Sequence, residues 1–160
     1  MNSTMNQRII NYKSLNKKEK ELYIKYYITE NTTAYNEYKN ILKFIEGGEL
    51  EYGALGKDEQ NEFYTLRMKN HMSRVLLYNS ILKKNKENII KNFNDFNKHQ
   101  LEFMEIMEEI SERDNCLGFL NNLNDDKTKP GEKYRLVCIE IKEEYELLKY
   151  IIEDYNNIKL

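Results

Sequence analysis

From residue 59 to residue 114 the chain contains neither glycine nor proline. A stretch of that length with no backbone breaker reads as helix. Alternate steps of four and three residues through it meet Tyr64, Met68, His71, Val75, Tyr78, Leu82, Asn85, Ile89, Asn92, Phe96, His99, Phe103, Ile106 and Ile110. Ten of these 14 are hydrophobic, against 40% for the whole chain. The row one residue earlier is polar from Lys84 onward, through Asn88, Lys91, Asp95, Lys98, Glu102, Glu105 and Glu109. One apolar stripe and one charged back are the pattern of a core-facing or coiled-coil helix. Roughly 55 helical residues would run about 80 Å. The expected fold is therefore all-α, an elongated helical bundle built on one long central helix over 58–114. A break is conceivable only at 83–88 (KKNKEN), which is polar but holds no true breaker. The heptad phase passes through it unchanged, which favours continuity.

The flanks complete a single helical domain over 1–160. Residues 1–13 read as a loose leader. Asn16 with Glu19 fits a helix cap answered by a carboxylate three residues later. An N-terminal helix pair over 14–46 follows, 17–29 and then 33–46, with Asn31-Thr32-Thr33 supplying the second cap and Gly47-Gly48 the stop. Residues 49–57 and 121–132 read as loops. The last helix, 132–158, carries Tyr134, Val137, Ile141, Leu148, Ile151, Tyr155 and Ile158 on one face, with Glu144 as the one polar intrusion.

Residue usage bears on origin and compartment. The chain has 21 Asn and 20 Lys but only 5 Arg, a bias that points to an AT-rich genome and makes a phage or mobile-element product plausible. Cys116 and Cys138 form no metal pattern and read as reduced thiols of a cytoplasmic protein. The first ten residues lack an apolar signal core, and no apolar run is long enough for a membrane span, so neither secretion by that route nor membrane insertion is expected.

The formal net charge of -2 hides an asymmetry. Residues 67–98 hold Arg67, Lys69, Arg74, Lys83, Lys84, Lys86, Lys91 and Lys98 against Glu87 and Asp95. Residues 101–126 hold eight acidic side chains and one basic, with Glu102, Glu105, Glu109 and Glu112 forming an acidic contact surface on the polar back. Three uses suit this layout. It is a solvated helix back; or a basic surface for nucleic acid or an acidic protein; or the seam of an antiparallel homodimer, with Asn85, Asn92 and His99 as the polar register residues.

Catalytic chemistry finds little purchase. His71 and His99 both fall in the apolar seam, four heptads apart, too far to share a metal on one straight helix. Arg67 and His71 resemble the Arg…His pair of the HEPN-type ribonucleases, which are also helical; the spacing here is shorter than in that family. The acidic run lacks the Glu-x-x-His of di-iron bundles, and no phosphate-binding glycine loop or nucleophile elbow occurs. No cofactor, metal or catalytic residue is expected. Leu15-Asn16-Lys17-Lys18, Tyr26 and Asn31-Thr32-Thr33-Ala34 resemble the opening helix-turn-helix of phage terminase small subunits, over about 20 residues, without that family's glycine-containing recognition segment. The expected function is that of a non-catalytic helical protein-binding regulator or inhibitor, with 13 tyrosines suited to interfaces. The alternative is a nucleic-acid binder, a terminase-like protein or a transcriptional regulator, using the basic half of the long segment.

Overall fold

The computed structural model describes residues 6–46, 57–111 and 130–160, with the side chains of 110–111 and 130–135 excepted. The described residues form five helices and no strand. These are α1 (Gln7–Lys13), α2 (Lys17–Glu46), α3 (Lys57–Lys83), α4 (Lys86–Ser111) and α5 (Pro130–Asn156). The all-α reading holds. The expected loops at 49–56 and 121–129, the stop at Gly47-Gly48, Cys116 and Glu112 lie outside the described residues.

The long helix is not continuous. It ends at Lys83 and reverses within two residues, at the one position where the sequence admits a break. Lys84 takes the left-handed conformation at φ 57. Its N–H donates to the Ile81 carbonyl at 3.1 Å, and the Asn85 N–H donates to the Ser80 carbonyl at 3.4 Å. That bond pair closes a helix C-terminus. Asn85 then caps the next helix, its side-chain oxygen accepting from the Asn88 N–H at 3.1 Å. Unbroken heptad phase therefore does not signal an unbroken rod. A turn this short returns the chain with the same stripe facing the same core.

The N-terminal helix pair is also corrected, to a single 30-residue helix. Asn31, Thr32 and Thr33 do not cap. Their side chains bond back to the carbonyls of Tyr27, Ile28 and Thr29 four residues earlier, at 2.8, 2.7 and 3.0 Å. Each polar group is satisfied on the helix itself, and nothing forces a break. The turn that a helix-turn-helix needs is absent here. The first cap is as expected: Asn16 and Glu19 exchange side-chain to backbone bonds, both at 2.9 Å. The presumed leader contains α1, capped by Asn6, whose side chain accepts from the Arg8 N–H at 3.1 Å.

Successive long helices run antiparallel. Tyr27 stacks on Tyr78 while Tyr38 meets Tyr64, which reverses α3 against α2. Phe63 meets Phe103 near one end of the α3–α4 hairpin, and Asn92 reaches the Leu76 carbonyl near the other. Phe93 meets Tyr145, and Val137 and Ile141 pack with the Met107 cluster, which reverses α5 against α4. The result is an up-down-up-down four-helix bundle. The short α1 wedges between α2 and α5, with Tyr12 fully buried against Tyr23 and Tyr150.

The core lies in two parts. One surrounds Tyr12, Tyr78, Phe96 and Ile151, toward the α3–α4 turn. The other surrounds Ile45, Phe63, Phe103 and Met107, at the opposite end. Between them the bundle interior is polar.

Candidate functional site

The interruption of the core is built from every helix. Asn31 comes from α2, Asn70 and His71 from α3, Gln100 from α4 and Glu144 from α5, and all five are buried. Arg67 and Arg74 enter from α3, one turn to either side of Asn70–His71. Arg8 enters from the first turn of α1. Burying groups of this kind is costly unless each is paired, so their partners define what the layer can do.

Glu144 is the only buried carboxylate among the described residues, its side chain 7% exposed. It accepts from Arg8 Nη1 at 2.6 Å and stands 3.8 Å from Arg74 Nε. The one polar intrusion in the last helix's stripe is thus the anionic centre of the layer. Arg74 Nη2 also donates to the Gln100 Oε1 at 3.2 Å, and the same oxygen accepts from the Asn70 amide at 2.7 Å. Burial pulls Arg74 below its ordinary value; Glu144 works against that shift, while Arg67 and Arg8 add to it.

Arg67 has a different environment. Its guanidinium carbon lies 4.7 Å from the Phe103 ring centre and 5.2 Å from that of Tyr38. Its Nε and Nη2 both donate to the Tyr38 hydroxyl at 3.3 Å. Among the described residues no carboxylate lies within ion-pair distance of it.

His71 completes the layer. Its ring stacks on Tyr38 at 5.5 Å, and its Nδ1 is 2.9 Å from the Asn31 Oδ1. The Asn31 amide nitrogen donates to a carbonyl, so its oxygen accepts and the His71 proton sits on Nδ1. Nε2 then carries a lone pair, buried and without a partner among the described residues. Burial, with Arg67 and Arg74 adding to it, holds His71 down to about 3, so the ring is neutral at physiological pH. Arg67 and His71, paired in the sequence reading, share the Tyr38 ring.

Two cavities flank the Arg8–Glu144–Arg74 bridge. One of about 190 Å³ is lined by Arg67, Tyr38, Phe63, Phe103, Met107 and Ile141 among others. The other, on the side of Tyr27, Asn31 and His71, is more open.

The other sequence-predicted contact residues are dispersed. Arg67 and Arg74 turn inward and so leave the outer basic surface. Lys69, Lys83, Lys84, Lys86, Lys91 and Lys98 are exposed, with Lys83, Lys84 and Lys86 gathered at the α3–α4 turn. Glu105 and Glu109 are exposed, and Glu102 pairs with His99 at 3.1 Å. Asn85 is the α4 cap and Asn92 reaches the Leu76 carbonyl at 3.3 Å. The residues read as a seam are thus engaged within one chain, where the α3–α4 hairpin buries much of the stripe. Cys138 is a half-buried free thiol. No group of three His, Cys, Asp or Glu among the described residues could hold a metal ion, and no described helix is long and apolar enough to cross a membrane.

Sequence reasoning missed Arg8, Asn70 and Gln100, and treated Glu144 as an exception rather than a centre. A signal was present. In a chain so biased toward lysine, arginine at three layer positions is a choice of chemistry. The planar guanidinium stays charged, is weakly hydrated and stacks on rings, which suits it to the interior where an ammonium is poorly suited.

Comparison of the chain with protein-family models, with curated proteins and with solved structures finds no match.

Proposed function

We propose that the protein is a non-catalytic helical binding protein, a regulator or inhibitor that acts by occupying the surface of a protein partner. The observation that carries this reading is the outer face of α3. With its inner stripe spent on the bundle, α3 still leaves Leu76 half-exposed beside the half-buried Met68 and Met72. These line a groove of about 270 Å³ with Tyr35 from α2 and Asn92, Asp95 and His99 from α4. Methionine is flexible and polarizable and adapts to the shape of what it meets. An apolar floor with a polar rim is the anatomy of a recognition surface. The AT-rich coding bias fits a mobile-element product acting on a host protein.

The test is affinity capture from a lysate of the native host with the wild-type chain and with Leu76→Glu and Met72→Glu, their folds verified by circular dichroism. A specific partner retained by the wild type and lost by both variants supports the reading. A partner retained equally by all three places recognition elsewhere and overturns it.

A further inference from the structure

Among the described residues the interior layer holds three arginines around one buried carboxylate. Arg8, Arg67 and Arg74 line the 190 Å³ cavity with the buried Glu144 and the exposed Glu140. Glu144 is shared by Arg8 and Arg74, and among the described residues no carboxylate lies within ion-pair distance of Arg67. Its only hydrogen-bond acceptor among the described residues is the neutral Tyr38 hydroxyl. Arg67 is half-buried beside two aromatic rings, and a guanidinium so placed, with no carboxylate partner among the described residues, offers its N–H groups to an incoming anion. The cavity beside it has space for one. It exceeds the roughly 150 Å³ of an apolar cavity that takes benzene, and Phe63, Met107 and Ile141 are among the residues that line it.

We propose that this cavity is a binding site for a small organic anion, a carboxylate or phosphate ester carried on an apolar ring-sized body. The anionic head meets Arg67, with Arg74 within the same cavity wall. The body lies against Phe63, Phe103 and Met107. Arg67 is the specificity-determining residue, because a guanidinium meets a planar carboxylate or a phosphate through two parallel N–H bonds. Glu144 keeps Arg8 and Arg74 in place and excludes a second anionic group. The site takes a single anionic head group on a compact body and rejects cations of the same size. It is separate from the outer α3 groove, and neither proposal rests on the other.

The experiment is titration of the full chain, with labelled methionine methyl groups, against benzoate and phenyl phosphate. Benzylamine and inorganic phosphate are the controls. The expected result is saturable movement of the Met107 methyl signal with benzoate or phenyl phosphate, a rise in Tm with the same probe, and neither with benzylamine. Arg67→Gln is expected to weaken the bound probe at least tenfold, and Arg67→Lys by a smaller factor while keeping the charge. Should Arg67→Gln fail to fold, the lysine variant still decides: its probe affinity must fall below that of the wild type. The proposal is overturned if neither aromatic anion moves Met107, if benzylamine moves it equally, or if the Arg67 variants bind as the wild type does. Equal Met107 movement with inorganic phosphate alone also overturns it, since the apolar body would then contribute nothing.

Discussion

Lys84 occupies the left-handed conformation that glycine adopts without steric cost. Its ammonium lies 5.4 Å from the Tyr155 ring centre, which recovers part of that cost. Lys84→Gly is therefore expected to raise stability by about 0.5 kcal/mol, and Asn85→Ala to lower it by about 1 kcal/mol through loss of the α4 cap. Urea denaturation reads both; a reversed sign for either variant would deny the turn its assigned geometry. A second residue-scale expectation concerns His71, held neutral at about 3 from an ordinary 6.5. Below pH 6.5 the unfolded chain binds a proton at this ring that the native chain refuses. The neutral-ring contribution is therefore fully present above 6.5 and is lost as the pH falls toward 3, with a slope of up to about 1.4 kcal/mol per unit. The difference in stability between wild type and His71→Gln should change by about 2 kcal/mol between pH 6.5 and 5. A constant difference across that range would place the ring in water. Glu144→Gln leaves Arg8 and Arg74 without their carboxylate and should cost about 3 kcal/mol, again by denaturation. A loss under about 0.5 kcal/mol would be that of a surface pair.

Among the elements, α2 gives the sharpest contrast between sequence and structure. If Thr32 and Thr33 capped a second helix, replacing them by alanine would cost about 1 kcal/mol or more. As exposed mid-helix residues whose hydroxyls bond back to the helix, they should be neutral to slightly stabilising as the double alanine variant. Thermal denaturation separates these outcomes. The local chemistry of Asn-Thr-Thr is the same in both settings, and the packing of Tyr27 on Tyr78 and Tyr38 on Tyr64, on either side of it, favours the continuous helix. The same limit explains the α3–α4 turn. Periodicity reports which face is buried, and Tyr78, Ile89 and Phe96 are all buried as the stripe requires. It does not report whether the stripe lies along one axis or doubles back, because a two-residue connection closed by Lys84 and Asn85 preserves the phase. The α1 wedge was hidden for another reason. Seven helical residues hold no period worth reading, and Tyr12 and Arg8 meet Tyr150 and Glu144 more than 130 positions later. The polar layer was half legible, since Glu144 and His71 stood out on apolar stripes, but their convergence is a property of the bundle.

At the scale of the molecule, the hairpin at Lys84–Asn85 turns a rod into a closed bundle. That closure brings the arginines of α3 against Glu144 and leaves Leu76 and the methionines outside. A compact chain of this length has a radius of gyration of about 15 Å, which small-angle scattering would report. The closure is tested most directly by spin labels at the exposed Glu62 and Glu105 and the distance between them. In a continuous helix these positions stand about 65 Å apart. In the hairpin they lie on adjacent antiparallel helices about 10 Å from axis to axis, so the expected label separation is below about 25 Å. A distribution centred near 65 Å would contradict the closed bundle, and with it both the arginine cavity and the outer groove.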